Sequence, residues 1–327
     1  MDSLEHTGNL ISGIMINVAW QLPIYLVLLC VKFVHSSDGE MDDKYNSCMD
    51  ACLRNSKDAN IKLDFHLRLF GWNPQDDCRY NCMFIHTQER MENGLHILKY
   101  YGKWPLVRLL GIQEPALVLF SLLNIWGHLA GWNNYKRVVP TDHEFYHSTC
   151  YHFWISVSGW TGAVIYHTRN LYWTECLDSI GSTIIIAISV FSCLCRLSGK
   201  VNNLGMTLIG GLLITILFAQ HIYYINFIKF DYSYNNKFMM SARICNIIVW
   251  LIWCAEEWTR RIYTCYFMST VLIVLYFVGI VLGDFKPLFW VLNAQCLWYL
   301  GTAYIGYLWY QCMINDWLSE LWWPLYE

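Results

Sequence analysis

With 56% of its 327 residues apolar, 17% aromatic and only 14% charged, the chain holds charge-free runs long enough to cross a hydrocarbon core of about 30 Å at roughly 20 residues each. A formal charge of −3 supplies no basic footprint and argues against nucleic acid as a partner. The composition predicts an all-α polytopic membrane protein.

In chain order, residues 22–31 form a short apolar stretch, ended by Lys32 and followed by "HSSDGE". This suits a cleaved signal peptide, or an N-terminal anchor, over 1–37. Asp2 and Glu5 are unusual ahead of a signal core, and a start at Met15 would leave a more ordinary signal. Residues 38–103 are polar and hold two cysteine pairs, Cys48 and Cys52 in "CMDAC" and Cys78 and Cys82 in "CRYNC". Spacing of i, i+4 puts each pair on one helix face, so the pairs can staple a helical hairpin. Cys48–Cys82 with Cys52–Cys78 is the antiparallel pairing, but four cysteines allow three connectivities, and a zinc site is the rival reading. A signal-like leader directs the region to an oxidising lumen, which favours disulfides. Cys193, Cys195, Cys245 and Cys254 sit in apolar runs and read as small buried hydrophobes.

Seven helix candidates follow within 104–312, with cores at 115–132, 151–166, 179–195, 204–228, 238–255, 262–283 and 287–311. The second and fifth are short for a crossing. With the cysteine region luminal, the cytosolic loops carry Lys136, Arg137, Arg196, Lys200, Arg260 and Arg261 against Arg169, Lys229, Lys237 and Lys286 on the luminal side, a bias of six to four. Residues 313–327 then form an acidic cytosolic tail. "GMTLIGG" offers small residues for close helix approach.

Polar residues gather at one membrane face. "AVIYHTRNLYWTECLDSIGS" places His167 at the luminal end of the second helix and Asp178 at the start of the third. "FWVLNAQCLWYLGT" places Asn293, Gln295 and Tyr299 in the first turns of the seventh. Ionisable groups at membrane depth are costly and face interior cavities, so these helix ends make a candidate site. The structural alternative takes His167 as interfacial, beside Arg169, and Asp178 as a helix N-cap. Gln113, Glu114 and Pro115 read as a helix start, with Pro in the first turn and a carboxylate at the positive end of the helix dipole. Asp231, Tyr232 and Tyr234 read as interfacial residues.

"YYGKWPLVRLLGIQEPALVLFSLLN", "YHTRNLYWTECLDS", "FIKFDYSYN" and "DFKPLFWVLNAQCLWYLGT" together resemble the post-GPI-attachment-to-proteins factor 3 family of the CREST hydrolase superfamily, which also holds alkaline ceramidases and adiponectin-type receptors. The blocks come in family order and spacing, after the paired cysteines. The resemblance implies a seven-helix membrane domain of the CREST type and a role in remodelling GPI anchors in the Golgi. There a phospholipase A2-like, metal-dependent hydrolysis removes the sn-2 acyl chain, and the implied partners are GPI-anchored proteins or the GPI lipid and membrane lipids.

The implied site is a three-histidine zinc centre with a supporting serine and aspartate. Here the first histidine is His167 and the acid eleven residues on is Asp178, but the serine position is Ala163. In the last helix the family pattern is aspartate, alanine, histidine and a second histidine four residues later, whereas this chain has Asn293, Ala294, Gln295 and Tyr299. Catalytic zinc needs about three protein ligands and an open position. If a four-ligand site is worth roughly 10–16 kcal/mol, losing two ligands weakens binding by several powers of ten. Cys296 is adjacent to Gln295 but turned about 100° round the helix axis. His221 reads as a hydrogen-bonded interior histidine, and His152 lies about four turns from His167 at the wrong end of its helix. The expectation is a weak or absent zinc, in a remodelling protein stripped of most of its metal site. A catalytically inactive lipid- or GPI-binding pseudoenzyme and a heptahelical receptor-like protein are the alternatives.

Overall fold

The computed structural model describes residues 38–58, 63–200, 204–228, 231–257 and 285–322. The leader expected over 1–37 and the helix candidate at 262–283 lie outside them. Among the described residues the chain is helical, and its three isolated β-bridges only close tight turns.

Among the described residues three helices precede the apolar part: α1 (Asp43–Asp58), the short α2 (Phe65–Leu69) and α3 (Pro74–Glu92). Asn73 starts α3 by accepting from Asp76 N at 2.8 Å, with Pro74 in the first turn, where it removes no intrahelical bond. Disulfides Cys48–Cys82 and Cys52–Cys78 run α1 and α3 antiparallel. The four sulfurs are therefore consumed in pairs, and the zinc reading of this region is overturned. Closing loops of 34 and 26 residues contributes about 3.5–4 kcal/mol for either bridge taken alone. Tyr45, Met49 and Tyr100 pack around the bridges.

The apolar part comprises α4 (Pro115–Val138), α5 (Tyr146–Thr168), α6 (Tyr172–Lys200), α7 (Leu204–Tyr223) with a π-helical turn (Tyr224–Ile228), α8 (Tyr232–Glu257) and α9 (Ala294–Trp322). Among the described residues four stretches are long and apolar enough to cross a membrane: Pro115–Val138, Tyr172–Gly199, Leu204–Ile228 and Tyr234–Ala255. Helices α5 and α9 have the length, 23 and 29 residues. Their hydropathy is diluted, by His147, His152 and His167 in α5 and by Gln295, Gln311, Asn315 and Asp316 in α9.

Helix α4 packs between α9 and α5, α5 lies on α6, and α6 carries both α7 and α8. Glycines permit the close crossings. A Cβ on Gly127 of α4 would stand 2.6 Å from the Ala303 carbonyl of α9, and one on Gly181 of α6 would stand 2.8 Å from Gly159 Cα of α5. In "GMTLIGG", Gly210 and Gly211 lie against Leu194 and Phe191 of α6, as expected of a packing device.

Two helix starts differ from expectation. Helix α6 begins at Tyr172, because Thr174 Oγ1 reaches back to accept from Leu171 N at 2.9 Å, so Asp178 lies inside the helix and is not its N-cap. Helix α9 begins at Ala294 and not at 287, because Asn293 Oδ1 accepts from Cys296 N at 3.0 Å. Residues 288–292 before it form a tight turn with Phe289 and Trp290 at φ of 54° and 62°. Residues 313–322, expected to open a tail, continue α9, with Met313, Ile314 and Asp316 buried and Asp316 paired to Arg196 of α6.

The cysteine hairpin docks on the end of the bundle where α4 and α9 begin and α5 ends. Trp72 donates to Gly111 O at 2.8 Å, and the guanidinium of Arg169 lies over the Trp72 ring while pairing with Asp76. Arg108 pairs with Asp77 at 2.6 Å and lies over the Tyr80 ring.

Candidate functional site

Backbone pairing builds the site first. Gln113 N donates to Thr168 O at 2.9 Å and Glu114 N to His167 O at 3.0 Å, which lays the start of α4 along the end of α5. Glu114, expected as a helix-start carboxylate, makes no capping hydrogen bond. Its Oε2 instead accepts from His167 Nδ1 at 2.5 Å, and its Oε1 accepts from Lys103 Nζ at 3.2 Å and Asn170 Nδ2 at 2.9 Å. Burial alone would push this carboxyl up, but Lys103 first, then His167 and Asn170, hold it well below the usual carboxylate range. Glu114 is thus an anion.

An acceptor-only carboxylate at Nδ1 places the imidazole proton there. Nε2 is then the acceptor, and it meets the Tyr299 hydroxyl of α9 at 3.0 Å. His167 is fully buried, with both ring nitrogens in hydrogen bonds. A carboxylate behind a histidine is the usual outer support of a metal-bound imidazole, and that half of the arrangement is present. The other half is not. The Tyr299 hydroxyl takes the Nε2 lone pair that a metal would use, and Trp160 holds the Tyr299 ring edge-on at 5.0 Å.

The remaining expected residues fall into place around this chain of hydrogen bonds. Ala163 lies one turn before His167, buried, and lines a cavity with Asp178 and Tyr299. Gln295 is exposed and touches the site only through its amide, 3.4 Å from the Tyr299 hydroxyl. Asn293 is committed to capping α9. Cys296 is fully buried among Ala116, Leu117, Ala163 and Tyr299. His221 is buried and stacks on Phe238 at 3.7 Å. His152 lines the far end of the cavity, stacked on Trp309 at 4.2 Å. Among the described residues no three His, Cys, Asp or Glu side chains stand close enough together to hold an ion. With both nitrogens of its single histidine engaged by Glu114 and Tyr299, this donor set does not fit a three-histidine zinc centre.

The cavity, about 260 Å³, is built by one stripe from each of α4, α5, α6, α8 and α9. On α6 the lining residues are Asp178, Ser182, Ile185, Ile186 and Ser189, and on α8 they are Arg243, Asn246, Ile247 and Trp250, each set on a single helical face. Two residues here escaped the sequence reading. Glu114 could not be paired with His167 without the fold. Arg243 could have been noticed, because a lone arginine in "MMSARICNIIVWLIW" costs about 2.5–3.5 kcal/mol at a helix centre and so marks a cavity or a partner.

The Per1-like family model matches residues 64–317. The zebrafish Danio rerio protein named GPI-specific phospholipase A2-like PGAP3 is 34% identical over 295 residues, covering 88% of this chain and 92% of its own. The human protein of the same name is 30% identical over 302 residues, covering 89% and 93%. The Drosophila melanogaster protein named Post-GPI attachment to proteins factor 3 is 31% identical over 305 residues, covering 88% and 90%. No solved structure matches the chain.

Proposed function

Because the chain belongs to the Per1-like family, we propose that it acts on the lipid of GPI anchors in the Golgi membrane, with its cysteine hairpin in the lumen, as a lipid-binding member without zinc-dependent hydrolysis. The observation that carries this reading is the Tyr299 hydroxyl at His167 Nε2. Zinc would supply an activated water and polarise an ester carbonyl. In this chain the positions that would hold it are His167, Gln295 and Tyr299, and a neutral amide and a phenol are poor ligands for it. Glu114, itself held by Lys103, orients His167, Asn293 and Thr174 set the helix starts, and Asp178 and Arg243 give the cavity its polar end. Those groups are a binding surface for a lipid headgroup, while the apolar lining suits hydrocarbon.

Complementation tests the reading in cells lacking the family enzyme. The chain as it stands should fail to restore acyl-chain removal from GPI, and a form carrying Ala163→Ser, Asn293→Asp, Gln295→His and Tyr299→His should restore it at least in part. Equal rescue by the unaltered chain would overturn the loss of hydrolysis, as would about one zinc per purified chain that disappears on His167→Ala. Failure of both forms would count against the GPI lipid as ligand.

A further inference from the structure

Arg243 stands eleven residues into α8, about 16 Å along its axis and so near the middle of the span. It faces inward, since Asn246, Ile247 and Trp250, three, four and seven residues on, line the same cavity. Its guanidinium lies 5.6 Å from the centre of the Trp298 ring, which holds the group from one side. Among the described residues Asp178 is the one carboxylate in the cavity lining, and it attracts Arg243 across the cavity, as does the Tyr299 hydroxyl, without forming an ion pair within 4 Å. A guanidinium is a planar fork of donors that matches a phosphate or a carboxylate with two parallel hydrogen bonds. Beyond it the walls are mainly apolar and aromatic, through Ile247, Trp250, Ile305 and Trp309, with the polar side chains of His128, His152 and Ser189 among them. A cation at the head of an apolar chamber is matched by an amphiphile whose anion meets the cation and whose chain fills the chamber.

We infer that Arg243 binds the phosphate of a phospholipid headgroup inside the membrane, with Asn246 beside it and the start of an acyl chain running toward Trp250 and Trp309. This deepens the lipid-binding reading given above and rests on it. The phosphate is favoured over a free fatty carboxylate because the polar rim reaches from Arg243 past Asp178, Ser182 and Tyr299, enough for an extended polar headgroup. The Asp178 carboxylate, on the same rim, suits a donor group of that headgroup, such as a hydroxyl or an amine.

The test uses the purified full chain in detergent, with affinity read from native mass spectrometry. The probes are phosphatidylinositol, diacylglycerol, oleate and inorganic phosphate. Phosphatidylinositol should bind about tenfold or more tightly than diacylglycerol, the scale of one charge-assisted hydrogen-bonded pair. Arg243→Gln should abolish that preference while diacylglycerol binding stays, and Arg243→Lys should keep part of it. The lysine form also guards against misfolding, because a folded lysine variant with no remaining preference contradicts a charge role as directly as a folded glutamine variant with full preference. Equal binding of phosphatidylinositol and diacylglycerol by the unaltered chain, equal binding of oleate, or full competition by inorganic phosphate would each overturn the inference. Intact phosphatidylinositol selectivity in a chain that fails every GPI complementation would sink the GPI reading alone.

Discussion

At position 299 a phenol stands where the resemblance implies a histidine, and it completes the hydrogen bonding of the His167 imidazole. The exchange leaves nothing unsatisfied: Glu114 accepts at Nδ1, Tyr299 donates at Nε2, and Gln295 donates to Tyr299 from the rim. Replacing Tyr299 by Phe should leave a buried acceptor without a partner and cost about 1–3 kcal/mol, seen as a lower melting temperature in detergent. The Trp160 edge contact survives that change, so the loss can be assigned to the hydroxyl. An unchanged melting temperature would mean that the hydrogen bond contributes nothing. Which residues depart from the pattern that the resemblance implies was legible position by position. How the remaining residues pair was not, because Glu114 and His167 are 53 residues apart and meet only through the pairing of 113–114 with 167–168.

At the scale of elements, the i, i+4 cysteines identified both helices of the hairpin, but their spacing is compatible with every pairing. The antiparallel packing of α1 on α3, with Tyr45 and Tyr100 between, selects Cys48 with Cys82 and Cys52 with Cys78. Inside that hairpin His86 is buried, with Nδ1 2.8 Å from the Tyr100 hydroxyl and Nε2 3.4 Å from Asp42. Burial lowers its pKa from 6.5, and Asp42 and Glu89 recover part of that loss against Arg90 and Lys44. A folded value below the unfolded one means that the unfolded chain takes up the proton first. The stability is therefore present above about pH 6.5 and declines as the pH falls through that value toward the lower folded pKa. Hydrogen exchange across α3 in the full chain, corrected for intrinsic rate, should show less protection near pH 5.5 than near pH 7.5. His86→Gln should flatten the difference, and a pH-independent profile in the unaltered chain would contradict the assignment. Helix ends were the least legible features. Apolar runs mark the middles of α6 and α9, while Thr174 and Asn293 decide their starts through single hydrogen bonds.

For the whole molecule, the site depends on how closely the helices cross. Gly159 and Gly181 bring α5 and α6 together so that Ala163 and Asp178, one turn on in α5 and one turn back in α6, face one cavity. Gly181→Val would press side-chain carbon into the α5 backbone and should cost about 1–3 kcal/mol in overpacking. The same change should weaken lipid binding along with the melting temperature, whereas binding unaffected by a measurable loss of stability would separate the cavity from this crossing. The amino-acid sequence by itself determined the membrane class, the helical character, the stapled hairpin and the family, because hydropathy, cysteine spacing and motif order are carried by residues near one another in the chain. Only the tertiary structure decided that Glu114 serves His167, that Tyr299 meets its other ring nitrogen, and that Arg243 and Asp178 look into one chamber. Those relations join helices far apart in the chain, and their distances are set by packing that no local pattern encodes.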